Sequence, residues 1–363
     1  MMMTKKWTLS MLTIVVFLIS GCVGVYEIKH QSFITAMAIQ LEEDQTLKVS
    51  VLELLTEPLD INAEESDEAS GNLRNRIITV TCKQFPNCME QIREKLSTRF
   101  VLDKMKFIVF HESILEAGVE NILDYFFQVG IVELTAFLFS TTQDIEQFLA
   151  NEGGSTLTRV ISGRQFHPDI FPVTIWDFSP WLDSHLKSNL LTSLSVQKEE
   201  DEQLDQEILQ MEGLHFLQKD KLAYSLPASD QRWIHLFFNK NKLDLTYLLN
   251  EDHLVFKVRK QRIKVEVTKE MVDVNISVVG WVLIDQDDID AKVQTLENLV
   301  EKEMEAKLQK IIDETKANGV DVLGIGEKFR VKNWETKNWN EKIKEIDIRV
   351  NVDAQILSGF GMD

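Results

Sequence analysis

The sequence IKVEVTKEMVDVNISVVGWVLI, residues 263–284, indicates most clearly how this chain folds. Apolar residues alternate with polar or charged ones on both sides of a turn at residues 268–270. Because successive residues of a strand face opposite sides of a sheet, this period of two predicts two strands with one face in water. Residues 346–352, IDIRVNV, alternate in the same way and predict a further strand.

Residues 291–318, between these strands, carry the longest helical pattern of the chain. Apolar residues recur there at spacings of three and four, which places them on one face of an α-helix. Asp288 or Asp290 can accept the free amide protons at the start of this helix, and Gly319 can take the left-handed conformation that ends it. The last third of the chain is therefore predicted to be a sheet packed with a long helix.

Upstream of this region, short apolar strands alternate with helical patterns. Residues 107–110 and 135–140 are predicted strands, each followed by a helical segment. This alternation is expected of an α/β layer. We also predict that Asn87 caps a helix, that residues 183–194 are helical, and that the proline-containing residues 166–180 are extended.

The whole chain is predicted to be a mixed α/β, or α+β, protein of several domains, with antiparallel and mixed sheets packed with helices. With 363 residues, the chain is too long to fold around a single small hydrophobic core. An acidic run at residues 199–202 is interpreted as a solvated linker. The predicted limits are a lipoprotein signal peptide at 1–21, an N-terminal α/β domain at 22–195, an acidic linker and middle region at 196–260, and a C-terminal domain at 261–363.

The formal charge of the chain, −19, limits the partners it can have. Nucleic acid needs a basic surface to bind its phosphates, so no nucleic-acid partner is expected. An acidic protein also does not dock on anionic lipid through charge alone. If the chain works at a membrane, it needs another anchor.

The N-terminus has the features of an exported lipoprotein. Lys5 and Lys6 precede an apolar segment at residues 9–19, which is shorter than the roughly 20 residues that span a bilayer. The sequence ISGC, residues 19–22, then fits a bacterial lipobox, in which small residues precede a cysteine. We predict cleavage before Cys22 and its modification with S-diacylglycerol and an N-acyl group, which hold a protein on a membrane. An uncleaved signal anchor accounts less well for the small residues and for the position of the cysteine.

Cys82 and Cys88 are the other two cysteines of the chain. Export permits a disulfide between them, and the intervening Pro-Asn pair favours a turn that brings them together. Two reduced thiols are an equally good interpretation. No second Cys or His pair stands nearby at ligand spacing, so no metal site is expected.

The motifs of common enzymes are missing from the sequence. It contains no phosphate-binding glycine loop and no Gly-x-Ser-x-Gly elbow, and its seven histidines are scattered. His111 follows an apolar strand, where catalytic residues occur, but a capping or surface role is the more common one. We therefore expect neither an enzyme nor a bound cofactor.

Four segments of the chain have an order and spacing that one protein family shares. The first is the lipobox with the apolar strand at residues 34–39, and the second is the strand and helix at 100–124, interrupted by a glycine turn. The third is GLHFLQKDKL at 213–222. The fourth is the strand pair and long helix followed by GVDVLGIG at 319–326 and by two tryptophans, the second of them Trp339. Together these segments resemble the Ger(x)C family, the lipoprotein subunits of spore germinant receptors.

The resemblance implies a receptor subunit and not an enzyme. Such subunits assemble with two integral membrane subunits, of the A and B types, in the inner membrane of the spore, where the receptor responds to small nutrients. The lipid on Cys22 would hold the chain on the outer face of the membrane. Confinement to that surface would raise its effective concentration near the other subunits, so modest interfaces would be enough for assembly. Residues 23–28 replace the Trp-Asp and basic pair usual in the family, which marks a divergent member.

A competing interpretation is a solute-binding lipoprotein that delivers a small nutrient to a membrane transporter. Such a protein would need a pocket lined by aromatic side chains. The candidate aromatic residues lie close together in the sequence among three prolines, and residues in such a segment more commonly pack an extended connection than line a pocket. A cell-wall hydrolase is a weaker alternative, because no acid–base set emerges from the sequence. The aromatic candidates are Phe166, Phe171, Trp176, Phe178 and Trp181.

Overall fold

The computed structural model describes most of the chain beyond residue 30. Cys22, the acidic run at 199–202 and the predicted caps Asp288 and Asp290 lie outside the described residues. The described residues are 31–54, 75–96, 98–130, 132–150, 156–158, 161, 170–182, 186, 188–198, 207–238, 245–249, 254–283 and 293–357.

The described residues form two β-sheets with helices packed on them, which confirms the predicted α+β class. The first sheet contains β1 (Gln31–Leu41), β2 (Leu47–Leu54), β3 (Asn75–Cys82), β4 (Arg99–Val101), β5 (Phe107–His111), β6 (Phe137–Thr141), β7 (Val173–Thr174), β8 (Asn189–Lys198), β9 (Glu207–Gln218) and β10 (Lys221–Pro227). The second contains β11 (Leu245–Leu249), β12 (Leu254–Val267), β13 (Met271–Leu283) and β14 (Asp347–Ile356). The helices are α1 (Phe85–Lys95), α2 (Glu112–Ala117), α3 (Glu120–Val129), α4 (Ile145–Ala150), α5 (Ile175–Leu182), α6 (Ala228–Phe238), α7 (Val293–Ala317), α8 (Ile325–Val331) and α9 (Trp339–Glu345).

The first sheet is parallel in its middle and antiparallel at its ends. Its order is β10-β9-β8-β6-β5-β1-β2-β3, with β4 beside β1 and β7 beside β6. The neighbours β8, β6, β5 and β1 run parallel, whereas the pairs at both ends are antiparallel. Parallel strands are usually covered on both faces, and residues 107–110 of β5 are accordingly all apolar and buried. The carboxyl ends of β5 and β6 therefore lie side by side at one edge.

The second sheet has the order β11-β12-β13-β14, and α7 packs along it. β12 and β13 form the predicted strand pair, and Gly319 follows α7 with φ +73°, as the sequence predicts. One hydrophobic cluster joins the two sheets, because Leu214 of β9 belongs to the same cluster as Val272 of β13 and Leu308 of α7. Residues 196–260 contribute β9 and β10 to the first sheet and β11 and β12 to the second, and the domain limits given above stay predictions.

Two sequence-based predictions about helices are wrong. Helix α1 begins at Phe85 with Gln84 as its N-cap, so Asn87 is not the cap. Pro86 occupies the first turn, where the backbone amide has no helical partner in any case. β8 occupies residues 189–194 of the helix predicted at 183–194, because leucines at helical spacing also fit a central strand that is buried on both faces.

The prediction of an extended segment at 166–180 is wrong for its last part, where α5 begins. Thr174 and Asp177 form a capping box at this point. The backbone N and the Oγ1 of Thr174 donate to Asp177 Oδ2 at 3.1 and 2.7 Å, and the Asp177 backbone N donates to Thr174 Oγ1 at 3.1 Å. These reciprocal bonds satisfy groups at the start of the helix that would otherwise lack partners.

A ladder of side chains from α7 covers the outer edge of β14. Glu297, Glu301 and Glu305 each accept a hydrogen bond from a backbone amide of β14, at distances between 2.8 and 3.0 Å. Gln309 continues the series, because its Oε1 accepts from Val350 N at 3.0 Å. The spacings match because four helical residues rise about 6.0 Å and two strand residues about 6.6 Å. The free amides of this edge strand are thereby occupied.

Candidate functional site

A cleft of about 1410 Å³ lies between the β9–β10 hairpin and the loops that follow α7. Residues 218–222 of the hairpin line one part of it, and Trp339 with its neighbours lines another. These residues belong to the third and fourth segments of the family resemblance described above. Sequence features that lie far apart in the chain therefore meet at this cleft.

Asp220, at the tip of the hairpin, binds the start of helix α3. Its Oδ2 accepts from Glu120 N at 3.3 Å, and its backbone carbonyl accepts from Val119 N at 3.1 Å. Gly118 has φ +114°, and a Cβ added to it would lie 2.4 Å from Asp220 Oδ2. Only glycine fits there without a shift of the aspartate. The second segment of the resemblance thus contacts the third.

Asp321 is a buried carboxylate that organises the loop between α7 and α8. Its Oδ1 accepts from Ile325 N at 3.0 Å, and its Oδ2 accepts from Gly326 N at 2.8 Å and from Trp339 Nε1 at 3.0 Å. Burial raises the pKa of Asp321 above its usual value, although the hydrogen bonds from these amides and the indole act in the opposite direction. The carboxylate caps α8 and fixes the indole in one position.

The loop held by Asp321 also contacts the first sheet. Ser188, next to β8, accepts a hydrogen bond at its Oγ from Asp321 N at 3.0 Å. A Cβ on Gly326 would lie 2.5 Å from the Leu186 carbonyl oxygen and 2.8 Å from Trp339 Nε1. The fourth segment is therefore fitted closely to the chain just before β8, and this contact fixes one wall of the cleft.

The carboxylates at the cleft and beside it hold backbone amides in place. Asp220 lines the cleft and accepts from the Glu120 amide, whereas the buried Asp321 accepts from two backbone amides and from the indole of Trp339. Lys219, Lys337 and Glu120 also line the cleft, so charges of both signs meet there. Among the described residues, no group of three or more His, Cys, Asp and Glu side chains is arranged to hold a metal.

A smaller cavity, of about 270 Å³, lies where β5 and β6 end. Ser193 of β8 pairs with Gly213, but the next pair along the ladder skips Glu212. Glu212 is therefore the extra residue of a β-bulge, a feature that turns a side chain out of the regular alternation. Its Oε2 accepts from Thr142 Oγ1 at 2.9 Å and from Ser193 Oγ at 3.5 Å.

His215, three residues after Glu212, lines the same cavity. It is 4% exposed, and its Nδ1 has no hydrogen-bond partner in the described part of the chain. Burial lowers the pKa of His215 to about 4, the charge of Glu212 opposes this shift, and His111 adds to it. The imidazole is therefore neutral at pH 7. Sequence reasoning treated it as one scattered histidine, although its place inside the apolar run LHFL was an available indication of burial.

The pKa of His215 predicts a loss of stability in mild acid. In the unfolded chain this histidine binds a proton below about pH 6.5, whereas the folded chain does so only near pH 4. The free energy of unfolding therefore decreases as the pH falls from about 6.5 to 4, by at most roughly 3 kcal/mol. Urea unfolding at pH 7 and pH 4.5 measures the change. The variant His215→Gln should lose less stability than the unchanged protein between these two pH values. An equal loss in both proteins would contradict the lowered pKa of His215.

The other residues singled out in the sequence lie elsewhere. Cys22 is outside the described residues. Cys82, the last residue of β3, and Cys88, in α1, form a disulfide with their Cα atoms 5.4 Å apart. His111 caps α2, since its Nδ1 accepts from Ser113 N at 3.1 Å, which confirms its interpretation as a capping residue.

The aromatic candidates for a solute pocket do not share one site. Phe171 and Phe178 are buried in different hydrophobic clusters, and Phe171 stacks on His235 with ring centroids 3.8 Å apart. Trp176 is 63% exposed. Phe166 and the side chain of Trp181 lie outside the described part of the structure. These positions give no support to an aromatic pocket.

Two family models match the chain in succession. The model of the spore germination protein N-terminal domain matches residues 24–196, and the spore germination B3/GerAC-like C-terminal model matches residues 212–359. The chain belongs to the GerAC-like family of spore germination proteins. The first match of this GerAC-like chain ends within β8, and the second begins at the β-bulge of β9 and runs beyond β14.

The GerAC-like fold is shared with a solved structure, described as "Crystal Structure of the GerBC protein". The two superpose with a TM-score of 0.56 at 16% sequence identity, over 89% of this chain and 97% of the other. At this identity the likeness shows the fold alone. A search of curated protein sequences finds no significant match.

As a GerAC-like protein, the chain is a germination receptor subunit, and its family is not a known class of enzymes. A receptor of this kind implies association with a membrane. In the part of the chain that the structure describes, no helix combines the length and the apolar character of a membrane span.

Proposed function

We propose that this GerAC-like chain is the lipid-anchored subunit of a spore germinant receptor, and that the receptor needs it to respond to nutrients. The ordered match of both family models over the two sheets carries this proposal. The partners are integral membrane subunits of the A and B types. The chain lies on the outer face of the cell membrane and, in the spore, of the inner membrane.

Attachment through Cys22 is supported by the N-terminal sequence. ISGC at residues 19–22 follows a short apolar segment, so a peptidase site and an acceptor thiol stand together. Cys22 in this proposal carries S-diacylglycerol and an N-acyl group, and two or more acyl chains hold a folded domain stably. The bond between Cys82 and Cys88 fits an exported chain, because disulfides persist in oxidising compartments.

Loss of the anchor predicts loss of receptor function. In spores that carry Cys22→Ala, the chain should leave the membrane fraction, and nutrient-induced germination should slow by roughly 10- to 100-fold, because confinement to the membrane no longer raises its effective concentration near its partners. Fractionation of spore membranes and the fall in optical density after addition of amino acids and sugars measure the two effects.

The variant Ser20→Ala is the matched control, because it keeps a small residue before the acceptor cysteine. It should stay in the membrane fraction and germinate normally. Affinity purification from detergent-solubilised membranes adds a second readout, in which a multi-spanning subunit should accompany the Ser20→Ala chain. Normal germination by Cys22→Ala spores, with the chain in the soluble fraction, would contradict the role of the lipid.

A further inference from the structure

The small cavity at the ends of β5 and β6 has the position of a ligand site. Glu112 directly follows β5, and Thr142 directly follows β6, so both lie at the carboxyl ends of neighbouring parallel strands. Open sheets with parallel strands commonly bind small molecules at this edge. The volume of about 270 Å³ is just below the range of roughly 300–1,000 Å³ for small-ligand pockets.

The backbone is shaped to place one carboxylate in this cavity. Glu212 is the extra residue of the β-bulge, and the bulge depends on Gly213, which has φ +144°. Bulges of this kind occur next to functional sites, where they redirect a side chain. Ser193, 1% exposed, is held against the redirected carboxylate.

His215 supplies a second observation, independent of the bulge. Its Nδ1 is buried without a hydrogen-bond partner in the described residues, although the side chain lines the cavity. Buried polar atoms in native proteins nearly always have a partner, so an unpartnered nitrogen on a side chain that lines a cavity points to a bound group. A neutral imidazole can accept a hydrogen bond at this nitrogen.

We propose that this cavity binds a small molecule through its ammonium group. The lining residues include the carboxylates of Glu112 and Glu212, and neither lysine nor arginine is among them. An anionic group would therefore meet two negative charges without a cation to balance it. An ammonium group donates three hydrogen bonds, which the two carboxylates and the imidazole can accept. This inference goes beyond anchoring and assembly and does not rest on them.

Calorimetry on the full mature chain in detergent, at pH 7.5, tests the proposal with three probes of similar size. Propylammonium should bind saturably, whereas propionate and 1-propanol should not. The variant Glu212→Gln keeps the shape of the side chain and removes its charge, and should weaken propylammonium binding at least about tenfold. Glu116→Gln, an exposed position on α2 outside the cavity lining, should leave binding unchanged.

Glu112→Gln serves as a second variant if Glu212→Gln does not fold, as judged by its circular dichroism, and the same weakening is expected. Three outcomes would overturn the proposal. These are no saturable binding of propylammonium, equal binding of 1-propanol, and binding that both cavity variants retain at full strength.

Discussion

Replacement of Asp321 with alanine is expected to lower the free energy of unfolding by about 3–5 kcal/mol. Alanine would leave Ile325 N, Gly326 N and Trp339 Nε1 without their acceptor, in a place where the side chain is only 2% exposed. A buried donor that loses its partner costs about 1–3 kcal/mol, because water cannot replace the lost bond. Urea unfolding of the chain without its signal segment, followed by tryptophan fluorescence, measures the change.

Two further variants separate the hydrogen bonds from the packing. Asp321→Asn keeps the shape and one acceptor oxygen, so its loss of stability should be about half as large. Trp339→Phe removes one donor, and in that background Asp321→Ala should be less harmful by about 1 kcal/mol. If Asp321→Ala were equally harmful in both backgrounds, the bond to the indole would contribute nothing measurable.

The change Gly213→Ala is expected to destabilise the chain by about 3 kcal/mol or more. Gly213 has φ +144°, which side chains rarely adopt, and a Cβ there would lie 2.0 Å from the Leu226 carbonyl oxygen of β10. The obstacle is backbone of a paired strand, so relief requires the β9–β10 hairpin to separate or shift its register. Thermal unfolding measures the loss, and amide exchange should show it first in β10.

Gly130→Ala is the matched control for this prediction. Gly130 also has positive φ, +63°, but a Cβ there meets nothing within 4 Å. It should cost about 1 kcal/mol, the price of the left-handed conformation alone. Similar losses of stability for both variants would show that the close contact between Gly213 and β10 does not account for the effect of Gly213→Ala.

Sequence reasoning succeeds here where periodicity and burial agree. β12, β13, α7 and β14 follow from alternation and from spacings of three and four, because each of these elements has one buried and one wet face. It fails at β8, where both faces are buried and leucines at helical spacing do not distinguish a helix from a strand. Thr174 and Asp177 have the spacing of a capping box, a signal that the prediction of an extended segment at 166–180 did not use.

The contacts at the cleft could not be read from the sequence alone. Gly118 and Asp220 are about one hundred residues apart, and the family resemblance brings both segments to attention without showing that they touch. Asp321 looks like an ordinary loop aspartate until its burial is known. By contrast, the four-residue spacing of Glu297, Glu301 and Glu305 on a helix that precedes an alternating strand was a usable signal for the ladder.

That ladder from α7 has a consequence for how this subunit can associate with others. A chain that joins a sheet by strand addition needs free amides along an edge, and those at alternate positions of β14 already donate to α7. In the described residues the second sheet therefore has β11 as its remaining edge for an incoming strand. Strand addition along β14 is therefore blocked by the chain itself, and a partner that binds by strand addition would need a different edge.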